Sequence, residues 1–143
     1  MKRMVLALLL LTGCEDDEAI SPPPPQALTR DAMGHFCGMI VADHAGPKAQ
    51  VFVAGEALPY WFTSVRDAKA FTILPDEPRE VLAVYVTDMA RAGSWESPDT
   101  AWMAAEEGHY VIKSARLGGM GQPEAVPFST AEAARAFASE HGG

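Results

Sequence analysis

The chain is 143 residues long, enough for one compact domain and short for two conventional ones. It carries 11 Lys and Arg against 19 Asp and Glu, a formal net charge of −8. With no basic block, that balance argues against nucleic acid and anionic lipid headgroups as partners and fits a basic partner surface or a cationic ligand.

The first residues read as a targeting segment. Lys2 and Arg3 precede the apolar run MVLALLLLT, far short of the roughly 20 apolar residues that a membrane-spanning helix needs. The run closes on LTGC: leucine, two small residues and cysteine. This resembles the lipobox of bacterial lipoproteins. The resemblance implies loss of residues 1–13 as a signal peptide and acylation of Cys14, leaving a lipid-anchored protein on the periplasmic side of a membrane. Removal of Lys2 and Arg3 leaves 9 basic against 19 acidic side chains, a charge of −10. Residues 14–30 then form a linker of four acids followed by Pro22 to Pro25. That composition builds no core and suits an extended spacer. Globular structure is expected over residues 31–143.

Within it, CGMIVAD reads as a strand running into a turn at HAGP, and AQVFVAG as a strand returning through EALPYWF. SVRDAKAFTIL reads as a helix with a capping box, Ser64 and Asp67, stopping before Pro75. EVLAVYVTD is a strand with Leu82, Val84 and Val86 on one face and Val81, Ala83 and Tyr85 on the other. The loop ARAGSWESPDT, a strand at YVIKS, the tight loop LGGMGQP, EAVPF and the helix STAEAARAFASEH complete the chain. FTSVRDAKAF (62–71) aligns without gaps on FSTAEAARAF (128–137), with Phe62/Phe128, Ala68/Ala134, Ala70/Ala136 and Phe71/Phe137 identical. The expected fold class is therefore α+β, two similar ββαβ units, about 31–80 and 81–143, packed into one compact domain.

Only Cys14 and Cys37 are available for disulfides. If Cys14 is acylated, Cys37 has no intramolecular partner, and a thiol in an oxidising space must be buried, paired between molecules, or used. Cys37 lies in MGHFCGM. In an extended chain, His35, Cys37 and Met39 share a face. Imidazole, thiolate and thioether are donors, and the two sulfur donors favour Cu(I) over oxygen-seeking cations. On a straight strand His35 and Met39 would be about 13 Å apart at Cα, so a common ion requires a bend, which Gly34 and Gly38 permit. Met120 is the best donor from elsewhere, because the glycines of GGMG leave its thioether as the loop's only long side chain.

Blander readings stand beside this one. Cysteine and methionine are common core residues, and His44 in DHAGP suits a turn. Met33 is a reserve sulfur, while Met89 and Met103 suit packing. No G-x-S-x-G elbow, P-loop or Rossmann glycine pattern is present. Asp43 and His44 could imitate a nucleophile group with Cys37, yet no spacing places them in hydrogen-bond reach. Nothing in these residues marks an enzyme.

Taken together, MGHFCGM, HAGPKAQVFV, WFTSVRDAKAF, VYVTDMA, YVIKSARLGGMGQPEAVPF and the alanine-rich last helix resemble the NosL family, copper-binding accessory lipoproteins of nitrous oxide reductase maturation. The resemblance implies a small fold of two ββαβ units, similar in some members to the mercury-handling domain of organomercurial lyases. It implies Cu(I) as cargo, apo nitrous oxide reductase as recipient and a membrane ABC-type maturation complex as a further partner. Cys37 and Met39 fall on the family's metal motif, with His35 and Met120 as additional candidates. Two other functions stay open: a non-metal scaffold lipoprotein for reductase assembly, and a thiol enzyme resembling the organomercurial lyases. Such an enzyme needs further active cysteines, and the folded part has one.

Overall fold

The computed structural model describes residues 21–75, 80–98 and 101–143, so Cys14 and the signal peptide lie outside the described residues. Five of its strands and both helices follow the expected order. β1 (Ala49–Val53) and β2 (Tyr60–Phe62) form a hairpin, followed by α1 (Val65–Ile73) and β3 (Val81–Thr87). β4 (Trp102–Ala104), β5 (His109–Val111), β6 (Val126–Phe128) and α2 (Ala131–His141) complete the chain. β4 has no counterpart among the expected elements. The named strands pair antiparallel throughout: a four-stranded sheet in the order β2-β1-β3-β4 and a separate hairpin β5-β6.

The helices begin where their caps dictate. Ser64 is extended and its hydroxyl accepts from Asp67 N at 3.0 Å. Thr130 does the same for Ala133 N at 3.2 Å. α1 stops before Pro75, whose ring disfavours a helical preceding residue. α2 ends on Gly142, which takes a left-handed φ of 76° that glycine adopts without strain.

β1 is buried along its whole length. On one face Ala49, Val51 and Val53 meet Phe62, Val65, Ala68, Phe71, Val86 and Met103 in the main core. Across the other face runs the upstream segment: Gln50 pairs both amide atoms with the backbone of Gln26, at 2.9 and 3.0 Å, and Tyr85 Oη donates to Pro23 O at 2.7 Å. The expected spacer is thus fixed to the sheet from Pro23 onward, and ordered structure starts ahead of Asp31. A second, smaller core joins Val111, Val126, Phe128 and Ala134.

The fold is α+β as expected, and the internal echo has a physical form. Phe62 and Phe128 each end the second strand of a hairpin, and Ser64 and Thr130 each cap the helix that follows. Phe71 and Phe137 then return to their respective strand phenylalanine, at ring distances of 5.4 and 5.2 Å. Sheet pairing divides the chain differently from a cut at residue 80. β3 and β4 belong with β1 and β2, and β3 closes the first ββαβ unit.

Candidate metal centre

Residues 37–43 are not the expected strand. Met33 and Ile40 bridge at the base of a tight turn, Gly34 N donates to Met39 O at 2.8 Å, and Gly38 N donates to Gly34 O at 2.8 Å. Gly38 has φ of 64°, a left-handed conformation that closes the turn at little cost. Val41, fully buried, then starts a short 3-10 turn over Val41–Asp43. His35, Cys37 and Met39 accordingly do not alternate along one extended face. The bend that a common ion would require is present, and the two glycines named for it are the residues that close it.

The turn is fastened to β2: Gly34 bridges to Trp61, and His35 N donates to Trp61 O at 2.7 Å. This brings the half-buried Cys37 thiol to 3.7 Å from Thr63 Oγ1. Gly34 makes the room. A Cβ there would lie 2.5 Å from Cys37 Sγ, a distance no carbon and sulfur tolerate. Met39 sits at the surface, 38% exposed.

The loop that carries Met120 approaches Thr63 from the second half. Its loop is closed by Gly118 N to Gln122 O at 2.8 Å and Gly121 N to Gly118 O at 2.9 Å. A Cβ on Gly119 would come within 2.6 Å of His44 Cβ, 2.7 Å of Ala45 O and 3.4 Å of Thr63 O. The loop backbone therefore lies against residues 44–45 and Thr63, and the His44 Nδ1 to Gly119 O contact of 3.1 Å fastens it. Thr63 is the common point, its hydroxyl on the Cys37 sulfur and its carbonyl beside the glycine preceding Met120. Met120 is 36% exposed.

His35 is placed differently. Its ring stacks on Tyr60 at 4.5 Å and meets Phe71 and Phe62 edge-on at 5.2 and 5.8 Å. The residue is exposed, so the ring lies on the outer side of this aromatic group, next to Cys37 in the turn. Met103 is a core residue of β4, Met89 packs on the second core, and Met33 is exposed. His44 is a turn residue, as its sequence context suggested, but one that anchors the Met120 loop. Thr63 carries no motif, because its partner Cys37 is 26 residues away in sequence. A hollow of about 560 Å³ between α1 and β3 holds no sulfur or imidazole and lies apart from this chemistry.

Among the described residues no three His, Cys, Asp or Glu side chains gather as a metal cluster. The donors offered by the turn and the loop are the Cys37 thiol, the His35 ring and the thioethers of Met39 and Met120, and sulfur donors of this kind suit a soft, low-coordinate ion.

Fold and site together define a small α+β protein whose two halves bring one thiol loop and one methionine loop against a single threonine. A family model described as NosL matches residues 25–143, and the chain belongs to that family. It is 47% identical over 139 residues to a protein of Achromobacter cycloclastes named copper-binding lipoprotein NosL, covering 96% of this chain and 72% of that one. A protein of the same name from Stutzerimonas stutzeri is 33% identical over 144 residues, 97% of this chain and 74% of that one. The crystal structure of the copper chaperone NosL from Shewanella denitrificans superposes with a TM-score of 0.78 at 31% identity, covering 85% of this chain and 91% of the other. All three bear the names of copper-binding proteins, not of enzymes.

Proposed function

We propose that this chain is a lipid-anchored, extracytoplasmic Cu(I) carrier that hands copper to apo nitrous oxide reductase. The observation that carries the reading is the convergence on Thr63 of the Cys37 loop and the Met120 loop. The named relatives bring copper binding and lipid attachment to this chain. In the reading, Cys37 supplies a thiolate and Met39 and Met120 supply thioethers. His35, exposed in the same turn and stacked on Tyr60, is the remaining candidate. Binding exchanges the thiol proton for the metal. No helix among the described residues is long and apolar enough to cross a membrane, and acylated Cys14 is the anchor.

A carrier needs ligands that hold the ion against loss and yet yield one at a time to a recipient. A partly exposed set of one thiolate and two thioethers meets that need better than a closed four-ligand cage. The test is transfer: copper-loaded protein is mixed anaerobically with copper-free reductase, the two are separated, and the metal in each is measured. Copper should move from the parent to the reductase. The carrier reading fails if the reductase gains no more copper than it takes from a chelator-buffered Cu(I) solution at the same free concentration.

A further inference from the structure

Two charged side chains with no part in the ligand set are buried beside it, Glu124 at 4% and Lys48 at 2% exposure. The Glu124 carboxylate accepts from Ala125 N at 2.8 Å, Arg66 N at 3.0 Å and Val65 N at 3.3 Å. Val65 and Arg66 open α1, where backbone N–H groups have no partner within the helix, and the Ser64 hydroxyl accepts only from Asp67. An acid from the second half thus completes the start of a helix in the first. Lys48 Nζ donates to Ala45 O at 2.9 Å and Gly46 O at 2.6 Å.

The Met120 loop lies between these two groups. A Cβ on Gly118 would sit 2.7 Å from Glu124 Oε2, and one on Gly119 would sit 2.7 Å from Ala45 O. Gly118 therefore rests on the carboxylate, and Gly119 on a carbonyl that Lys48 holds. We propose that Glu124 is a positioning residue of the copper site, its carboxylate fixing the loop that carries Met120 against Thr63 and so setting the thioether's place beside Cys37. The proposal rests on the copper-carrier reading above. Burying a carboxylate is costly unless its oxygens are satisfied, and of the three N–H donors that satisfy this one, Val65 N and Arg66 N tie it to the start of α1.

The acylated protein in detergent is compared with Glu124→Gln, Gly118→Ala, Met120→Ala and the double variant Glu124→Gln/Met120→Ala. In the copper-free proteins, amide exchange at Gly118 and Gly121 should quicken about tenfold in Glu124→Gln and in Gly118→Ala, with the β1 and β3 amides unchanged. In competition with bathocuproine disulfonate, Glu124→Gln should weaken Cu(I) binding about tenfold, in the range known for residues that orient ligands. Adding Met120→Ala to it should cost less than about a further twofold, since both changes remove the same ligand. Copper X-ray absorption should show the same loss of one sulfur neighbour in each single variant. Should Glu124→Gln loosen the whole sheet, Gly118→Ala, which keeps the acid and its Arg66 N contact through Oε1, decides the matter by the same readouts. Unchanged loop exchange, or copper effects that multiply in full, would overturn the proposal. A parent that holds no Cu(I) would sink the carrier reading instead, and loop exchange would still decide whether Glu124 positions the loop.

Discussion

Gly34 governs where the Cys37 sulfur lies. Its φ is not left-handed, so alanine suits the backbone there, but the added Cβ would meet the thiol at 2.5 Å. Gly34→Ala should push Cys37 off Thr63 and weaken Cu(I) binding about tenfold, with the far-ultraviolet circular dichroism of the parent retained; unchanged affinity would show that the thiol's seat on Thr63 is irrelevant to the metal. Glu124 and Lys48 make a prediction about pH. Burial raises Glu124 from 4.5 to about 7, against the pull of three N–H donors, and lowers Lys48 from 10.5 to about 8, against the nearby Glu124 charge. Between pH 4.5 and 7 the folded chain binds more protons than the unfolded one, so the Glu124 contribution to stability falls as pH rises. Between pH 8 and 10.5 the unfolded chain binds more, so the Lys48 contribution is regained. Each limb amounts to about 3 kcal/mol at most. Urea unfolding from pH 5 to 10 should show a minimum between 7 and 8, and Glu124→Gln should flatten its acid side.

The elements most legible in the sequence were those whose signal is local. Ser64, at the head of an apolar-periodic run, marked the start of α1, and the structure uses its hydroxyl as the cap; Thr130 caps α2 in the same way, one residue past the Ser129 at which the sequence pattern opened that helix. Ser64→Ala and Thr130→Ala should each cost about 1 kcal/mol in chemical denaturation; a negligible cost at either would mean that tertiary contacts alone hold that helix end. β1 and β3 were legible from alternation and β-branched residues. The strand expected over 37–43 is instead the end of a tight turn and a 3-10 turn, because the apolar run Met39 to Val41 and the alternation of His35, Cys37 and Met39 mimic a strand's two-residue period. The glycine contacts that close it, Gly34 with Met39 and Gly38 with Gly34, are conformational and leave no apolar pattern. β4 was missed because three residues in AWMAAE are too few for any period; it exists through its pairing with β3.

At the scale of the molecule, buried carboxylates stitch the halves together. Glu124 closes the start of α1, while Asp88 at the end of β3 accepts from Ser129 N at 2.9 Å, just ahead of α2. The echo in the sequence suggested two like units but not that acids would join them, one at the start of α1 and one just ahead of α2. The candidate donors were legible as residue types, since thiol and thioethers in glycine-rich loops are unusual. The meeting of the two loops was not, because Thr63, where they meet, belongs to neither MGHFCGM nor GGMG. The central claim is that this junction holds Cu(I), and anaerobic competition of the protein with bathocuproine disulfonate tests it most directly. The account predicts about one Cu(I) retained per chain by the parent, lost in Cys37→Ser and weakened in Met39→Ala and Met120→Ala. Copper held by Cys37→Ser and Met39→Ala as tightly as by the parent would contradict it.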